Sequence, residues 1–241
     1  MKKTIGLIVT LLFAFFAGIH SIEAQPRIIE KTIETDSDAH IQLNLKFGES
    51  IVVKGWEKDE VSFRAVVEIN GGKLNDAFTA NFIENGPGIR IETDFDKEKL
   101  QDGRADDCPD QRYRSYSWNQ NGENQIVCSS ITFEIQIPRN SQLVLETIAA
   151  DVELLNLDGP VDAKSISGFV DLSWPGMNGA DISLKTITGE AYSDLDNLTF
   201  RNRKEPFPHV GYELRGTIGN GGTLIRLESV SGDLYLRKIG R

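Results

Sequence analysis

The chain is poor in the residues on which most protein chemistry depends. Among its 241 residues are 3 histidines, 2 cysteines and 2 methionines. His20 falls within the first 24 residues, which read as a leader, and this leaves His40 and His209, far apart in sequence. A catalytic triad needs a nucleophile, a base and an orienting group, and no GxSxG elbow accompanies either imidazole, so a serine hydrolase is not expected. Two thiols and two distant imidazoles also fall short of the four Cys or His ligands of a structural zinc site; no metal and no cofactor are expected. No long Pro- or Ser-rich run marks a linker. Helical spacing is equally scarce: only "KLNDAFTANF", with Leu74, Ala77, Phe78 and Phe82 on one face, predicts a short helix.

What is present begins with a leader. "MKKTIGLIVTLLFAFFAGIHSIEAQ" places Lys2 and Lys3 before an apolar run from Ile5 to Ala17, then small residues and a cut between Ala24 and Gln25. This is the pattern of a secretory signal peptide over residues 1–24, and the run is shorter than the roughly 20 apolar residues of a membrane span. No cysteine near the cut offers a lipid attachment point. The remaining 217 residues carry 24 basic and 35 acidic side chains, a net charge of −11. Such a chain is soluble and a poor partner for nucleic acid, itself an anion. Its expected location is the periplasm, the cell surface or the medium, with no membrane span after cleavage. There Cys108 and Cys128 are expected to pair, closing a loop of about 20 residues and constraining the unfolded chain by about 3 kcal/mol.

Period-two alternation dominates the rest. In "AHIQLNLKF" Ile41, Leu43, Leu45 and Phe47 alternate with polar residues. In "GESIVVKGWEKDEVSFRAVVEI" two β-rich runs flank a turn at "KGWEKDE", and Val61, Phe63, Ala65 and Val67 share a face. "SITFEIQIP" repeats the pattern with Ile131, Phe133, Ile135 and Ile137 and ends at Pro138, which cannot donate to a ladder. Residues 25–140 thus read as β-strand pairs, with an irregular insertion over 94–128.

From residue 141 to 241 a repeat appears. "LVLETIAADVEL" from Leu143, "VDAKSISGFVDL" from Val161, "ISLKTITGEAYS" from Ile182 and "IRLESVSGDLYL" from Ile225 align without gaps. Each has an apolar first position, Ser or Thr at the fifth, Ile or Val at the sixth and Gly or Ala at the eighth. The tenth and twelfth are mostly apolar. The starts lie 18, 21 and 43 residues apart, so the last interval spans about two periods, with a degraded copy expected near "FPHVGYELRGTIGNGG". A period near 20 built from short strands predicts a β-solenoid, whose rungs bury their apolar faces only by stacking. Gly168, Gly189 and Gly232 are then expected at corners of positive φ, and Ser165, Thr186 and Ser229 as hydroxyl ladders between coils. The expected fold is all-β: strand pairs with at most one short helix, continuing into a short solenoid of strand-turn-strand rungs.

"GESIVVKGWEKDEVSF", the "SG" and "TG" rungs and the closing "LESVSGDLYLRK" together resemble the adhesin, or toast-rack-like, β-solenoid domains of bacterial envelope proteins, over Ile28 to Lys238. The chain departs from that pattern at Ala149 and Ala150, where the turn has no Gly, and in the insertion that carries the cysteines. The resemblance implies an extracytoplasmic, non-enzymatic domain, some of whose relatives accompany envelope-stress signalling systems.

Three candidate sites follow from the residues. Asp151, Asp171, Glu190 and Asp233 recur beside the turns, where paired carboxylates could serve glycoside hydrolysis, although outward polar faces of a solenoid carry the same pattern. Asp94, Asp96, Asp102, Asp106, Asp107 and Asp110 crowd one loop, but their spacing matches neither an EF-hand nor a calcium-binding β-roll. In "CPDQRYRSYSWNQNGENQIVC", Tyr113, Tyr116 and Trp118 interleave with Arg112 and Arg114, and Asn121-Gly122 marks a hairpin turn. Aromatic faces with polar neighbours stack on sugars or anchor a protein, so this hairpin is the expected binding site. The expected role is a non-enzymatic, adhesin-like binding or scaffold protein, with an envelope protein or a surface glycan as partner. The alternative is an accessory or sensing subunit of an envelope signalling partner, and a polysaccharide-active enzyme ranks below both. The charged tail with Arg237, Lys238 and Arg241 discourages end-on stacking and favours a monomer.

Overall fold

The computed structural model describes residues 25–86, 88–108, 114–120, 123–175, 177–201 and 211–239, with backbone alone for 114–120 and 123–125. The leader over residues 1–24 lies outside them. The described chain is all-β. Its strands are β1 (Arg27–Glu34), β2 (His40–Leu45), β3 (Phe47–Trp56), β4 (Glu60–Ile69), β5 (Phe78–Asn85), β6 (Gly88–Phe95), β7 (Arg114–Gln120), β8 (Glu123–Pro138) and β9 (Gln142–Leu155). Then come β10 (Val161–Ser167), β11 (Val170–Trp174), β12 (Ala180–Thr186), β13 (Ala191–Ser193), β14 (Leu198–Phe200), β15 (Glu213–Ile218), β16 (Thr223–Ser231) and β17 (Leu234–Lys238).

These strands form two stacks. The first runs β6, β2, the first half of β9, β10, β16, β12, all parallel, with β5 antiparallel at one end and β15 then β14 antiparallel at the other. The second runs β8, β3, the second half of β9, β11, β17, β13, again parallel, and is extended beyond β8 by antiparallel β4 and β1. A coil passes from one stack to the other at a corner, as β9 does at Ala150, and the apolar core lies between. Ile41, Leu143, Val161, Ile225 and Ile182 stand in one buried column, and Leu43, Leu145, Ala163, Leu227 and Leu184 in the next. The gapless alignment of the four sequence rungs is therefore the strand register itself.

Several features differ from the sequence reading. The rungs do not stack in chain order: the coil that begins at Ile225 lies between those that begin at Val161 and Ile182. The described residues of the long interval before it hold no rung: β15 pairs antiparallel with β12 and β14 with β15 along that edge. The predicted helix is also a strand. Only Asn75–Ala77 makes a 3-10 turn, after which Phe78, Ala80 and Phe82 face the core from β5 at period two. Gly55 lies in β3 rather than in the turn, where a Cβ would stand 2.0 Å from the carbonyl oxygen of Asn156.

The corners also follow a different rule. Of the three rung glycines only Gly168 has positive φ, at 135°. What all three share is a neighbour: a Cβ on Gly189 would lie 2.0 Å from the carbonyl oxygen of Gly232, on Gly232 2.2 Å from that of Gly168, and on Gly168 2.1 Å from that of Ala150. Glycine is required because successive coils approach backbone to backbone. Ala150 ends the column, opposite the irregular stretch of β3 between Phe47 and Ser50. The fifth-position hydroxyls do not bond to one another. Ser165 donates to the Ala150 carbonyl, Ser229 to that of Gly168 and Thr186 to that of Gly232, at 3.2, 3.0 and 2.9 Å. Each coil is tied to the next by a corner glycine and one hydroxyl.

Replacing Gly232 or Gly189 by Ala should therefore lower unfolding stability by about 1–3 kcal/mol or more in urea titrations, because a rigid backbone must move. Gly88→Ala, whose nearest neighbour would be 3.4 Å away, should cost well under ~1 kcal/mol. Equal losses at the two kinds of site would contradict the close-approach account.

Candidate functional site

Parallel stacking in register has a consequence outside the core: residues at one rung position form columns on the surface. On the outer side of the second stack, Asp171, Tyr235 and Tyr192 occupy the eleventh position of three successive coils. The Tyr192 and Tyr235 rings lie 5.3 Å apart and within 13° of parallel. Phe169 meets Tyr235 edge-on at 6.0 Å. The Arg237 guanidinium lies 4.6 Å from the Tyr235 ring centre and its Nε pairs with Asp171 Oδ2 at 2.7 Å.

Carboxylates hold this ladder. Tyr192 Oη donates to Glu190 Oε2 at 2.6 Å and Tyr235 Oη to Asp233 Oδ2 at 3.1 Å. Asp233 Oδ1 accepts the Glu190 amide at 2.9 Å, and one turn away Asp151 Oδ1 accepts the Phe169 amide at 3.2 Å. The hydrogen bond to Glu190, with burial and the nearby charges of Glu190 and Asp233 added, pushes the Tyr192 phenol up to about 12. The four recurring carboxylates thus cap corner amides, hold phenols or pair with Arg237.

Tyr192 is nevertheless 46% exposed. Among the described residues β13 is the last strand of the second stack, whereas the first continues through β15 and β14, and a groove of about 760 Å³ lies at this end. That volume lies within the ~300–1,000 Å³ of small-ligand sites. Tyr192, Phe200 and Tyr212 give it aromatic surface, and Glu190, Thr186 and Ser193 give it polar groups. A second groove, about 520 Å³, crosses the outer side of the first stack between Asn44, Lys46, Glu92, Asp94 and Glu146. Burial alone would raise the Asp94 carboxyl, but the Lys46 ammonium and the Phe95 amide outweigh it and hold Asp94 below the usual range.

The other sequence candidates are placed as follows. Cys108 and Cys128 form a disulfide with Cα atoms 5.9 Å apart. Arg114, Tyr116 and Trp118 fall at alternate positions of β7, opposite Ser129, Val127 and Gln125 of β8, and only their backbone is described. Arg112 and Tyr113 lie outside the described residues, as do Asp110 and His209. In the acidic loop Asp94 pairs with Lys46 and Asp107 with Lys73. Among the described residues no group of three His, Cys, Asp or Glu side chains converges on a point, and no helix is long and apolar enough to cross a membrane. The tyrosine ladder was not singled out from sequence, though its signal was in the alignment: Tyr192 and Tyr235 share the eleventh position.

No family model matches the chain, and no curated protein matches it either. Two solved structures resemble it. The crystal structure of a "putative cell adhesion protein" from Clostridium sporogenes superposes with a TM-score of 0.51 at 11% identity, over 89% of this chain and 100% of that one. That of a "putative adhesin" from Bacteroides fragilis gives a TM-score of 0.32 at 8% identity, over 88% of this chain and 97% of that one. The first likeness is one of fold.

The ladder is testable by ultraviolet titration of tyrosinate. One phenol should ionise near pH 12, and Glu190→Gln should bring it back toward the ordinary value of about 10. Because the folded value is raised, the contribution of this phenol to stability is complete below pH ~10 and is lost as pH rises through about 12. The Tyr235 phenol is raised as well, by burial and by its hydrogen bond to Asp233, so what would refute the assignment is an ionisation near pH 12 that survives unchanged in Tyr192→Phe.

Proposed function

We propose that this chain is an exported, non-enzymatic binding module of the bacterial envelope or cell surface, adhesin-like, whose ligand is a glycan seated against Tyr192. The observation that carries this reading is the pre-stacked, half-exposed tyrosine beside the groove. Its orientation is set before any ligand arrives, by Tyr235 behind it and Glu190 on its hydroxyl. A fixed aromatic ring loses little conformational entropy on binding. Sugars offer apolar C–H faces for such a ring and hydroxyls for the carboxylate and hydroxyl groups beside it, Glu190, Ser193 and Thr186.

Export is supported by the leader over residues 1–24 and by the Cys108–Cys128 bridge, since disulfides persist in oxidising compartments. An adhesive role is supported by the shared fold of the Clostridium sporogenes protein named for cell adhesion. The β7–β8 hairpin with Arg112, Tyr113, Arg114, Tyr116 and Trp118 is the second contact surface in this proposal.

The test is retention of the mature protein on an array of immobilised bacterial and host polysaccharides. Tyr192→Ala should lower retention at least tenfold, since truncating an aromatic anchor costs about 2 kcal/mol or more. Trp118→Ala should give a smaller loss. An array that retains no wild-type protein overturns the glycan reading, and loss confined to Trp118→Ala moves the site to the hairpin.

A further inference from the structure

The sixth rung position is the odd one in the repeat: an apolar residue that the structure turns outward. Ile148, Ile166 and Ile187 are 39%, 44% and 39% exposed, and with Val230 they form a stripe along the outer side of the first stack. Leu224, 47% exposed, lies on the same side, level with Pro160, the residue before Val161. A contiguous apolar surface of this kind marks an interaction site in a soluble protein.

The charges beside the stripe identify the occupant. In stacking order the four coils begin at Leu143, Val161, Ile225 and Ile182. Their fourth positions read Glu146, Lys164, Glu228, Lys185, and their second positions Val144, Asp162, Arg226, Ser183. Reversing either column places every charge against its opposite: Glu146 meets Lys185, Lys164 meets Glu228, and Asp162 meets Arg226. The sixth-position column reversed sets Ile148 on Ile187 and Ile166 on Val230. The column at the outer margin sets Leu224 on Pro160 and Gln142 on Asp181. In the nearest flanking strands Asn44 of β2 then meets the level of Glu213 in β15, and Gln42 that of Arg215; one strand further out, at the margin of the patch, Arg90 of β6 meets the level of Arg201, a like-charge contact.

We propose that this face is a self-complementary interface through which two copies of the chain pair about a two-fold axis parallel to the strands. A two-fold interface brings the same patch of each copy together, so the patch must complement its own reversal. That is a demanding condition, and of the sixteen positions only Val144 and Ser183, which meet each other, are not matched in kind. Within one chain Glu228 is already shared between Lys164 and Lys185, and Asp162 is paired with Arg226. Pairing joins these into one network beside the apolar stripe. The patch spans about 15 Å along the stack, at the ~4.8 Å spacing of paired strands, so it is smaller than a standard interface and the dimer is weak and reversible. The monomer expected from sequence rested on Arg237 and Lys238 at an end of the solenoid, but β17 lies between β11 and β13 within the second stack, so these residues cap no end, and that expectation does not bear on this lateral face. In the pair the two tyrosine ladders point away from each other, but the interface does not depend on what they bind.

Sedimentation velocity of the mature protein across a wide concentration range, at low salt, tests this. The wild type should pass from monomer to dimer as concentration rises, and Ile166→Lys should remain monomeric. Lys164→Glu and Glu228→Lys should each be monomeric, because each sets like charges against one another in the pair. An equimolar mixture of those two variants should dimerise, since every fourth-position contact in the mixed pair is again between opposite charges. Dimerisation of the mixture also proves that both variants are folded. A wild type that is monomeric at every concentration, a single charge variant that dimerises as the wild type does, or a mixture that stays monomeric would each overturn the proposal.

Discussion

The contact on which the rest depends is the approach of one corner backbone to the next. Gly189 on Gly232, Gly232 on Gly168 and Gly168 on Ala150 leave no room for a side chain, and beside each contact a hydroxyl donates to the carbonyl below. Each such bond is worth only about 0.5–1.5 kcal/mol net. Their effect is mainly geometric. A rung held at its corner cannot slip, and since a one-residue slip turns every side chain to the other face, the corner decides which residues enter the core.

That constraint passes from the inside of the coil to the outside. Register held at the corners aligns Ile, Leu and Val into buried columns, and the same register aligns the outward residues. The tyrosine ladder on one stack and the charged and apolar columns on the other are both products of this alignment, with no loop involved in either. The antiparallel additions work differently. β4 with β1 at one end and β15 with β14 at the other end the parallel stacks, and among the described residues it is the unequal length of the two stacks that leaves Tyr192 beside a groove.

Much of this could be read from the chain. The gapless alignment of four rungs proved to be the strand register, residue for residue, because parallel strands in a solenoid pair like positions with like. The alternating runs at Ile41, Val61 and Ile131 are buried as their period required. Other features were not legible. Phe78 and Phe82 fit a helical face and a strand face equally well, and pairing with β6 settled the matter. The fifth and sixth positions invert the usual expectation: Ser165 and Ser229 are buried because a carbonyl accepts their hydroxyls, while the Ile and Val beside them face outward.

The sequence by itself determined the rung: its length, its alternation, its small corner residue and hence an all-β stack. These are local properties, set by period-two patterning and by what a corner can accommodate. Only the tertiary structure decided the order in which the rungs stack, with the coil from Ile225 inserted between two that precede it in the chain. The physical reason is that the rungs present nearly interchangeable inner faces, so no rung names its neighbour. Which residues become adjacent on the surface, Tyr192 beside Tyr235 and Lys164 beside Glu228, follows from that order and is settled only when the chain closes on itself.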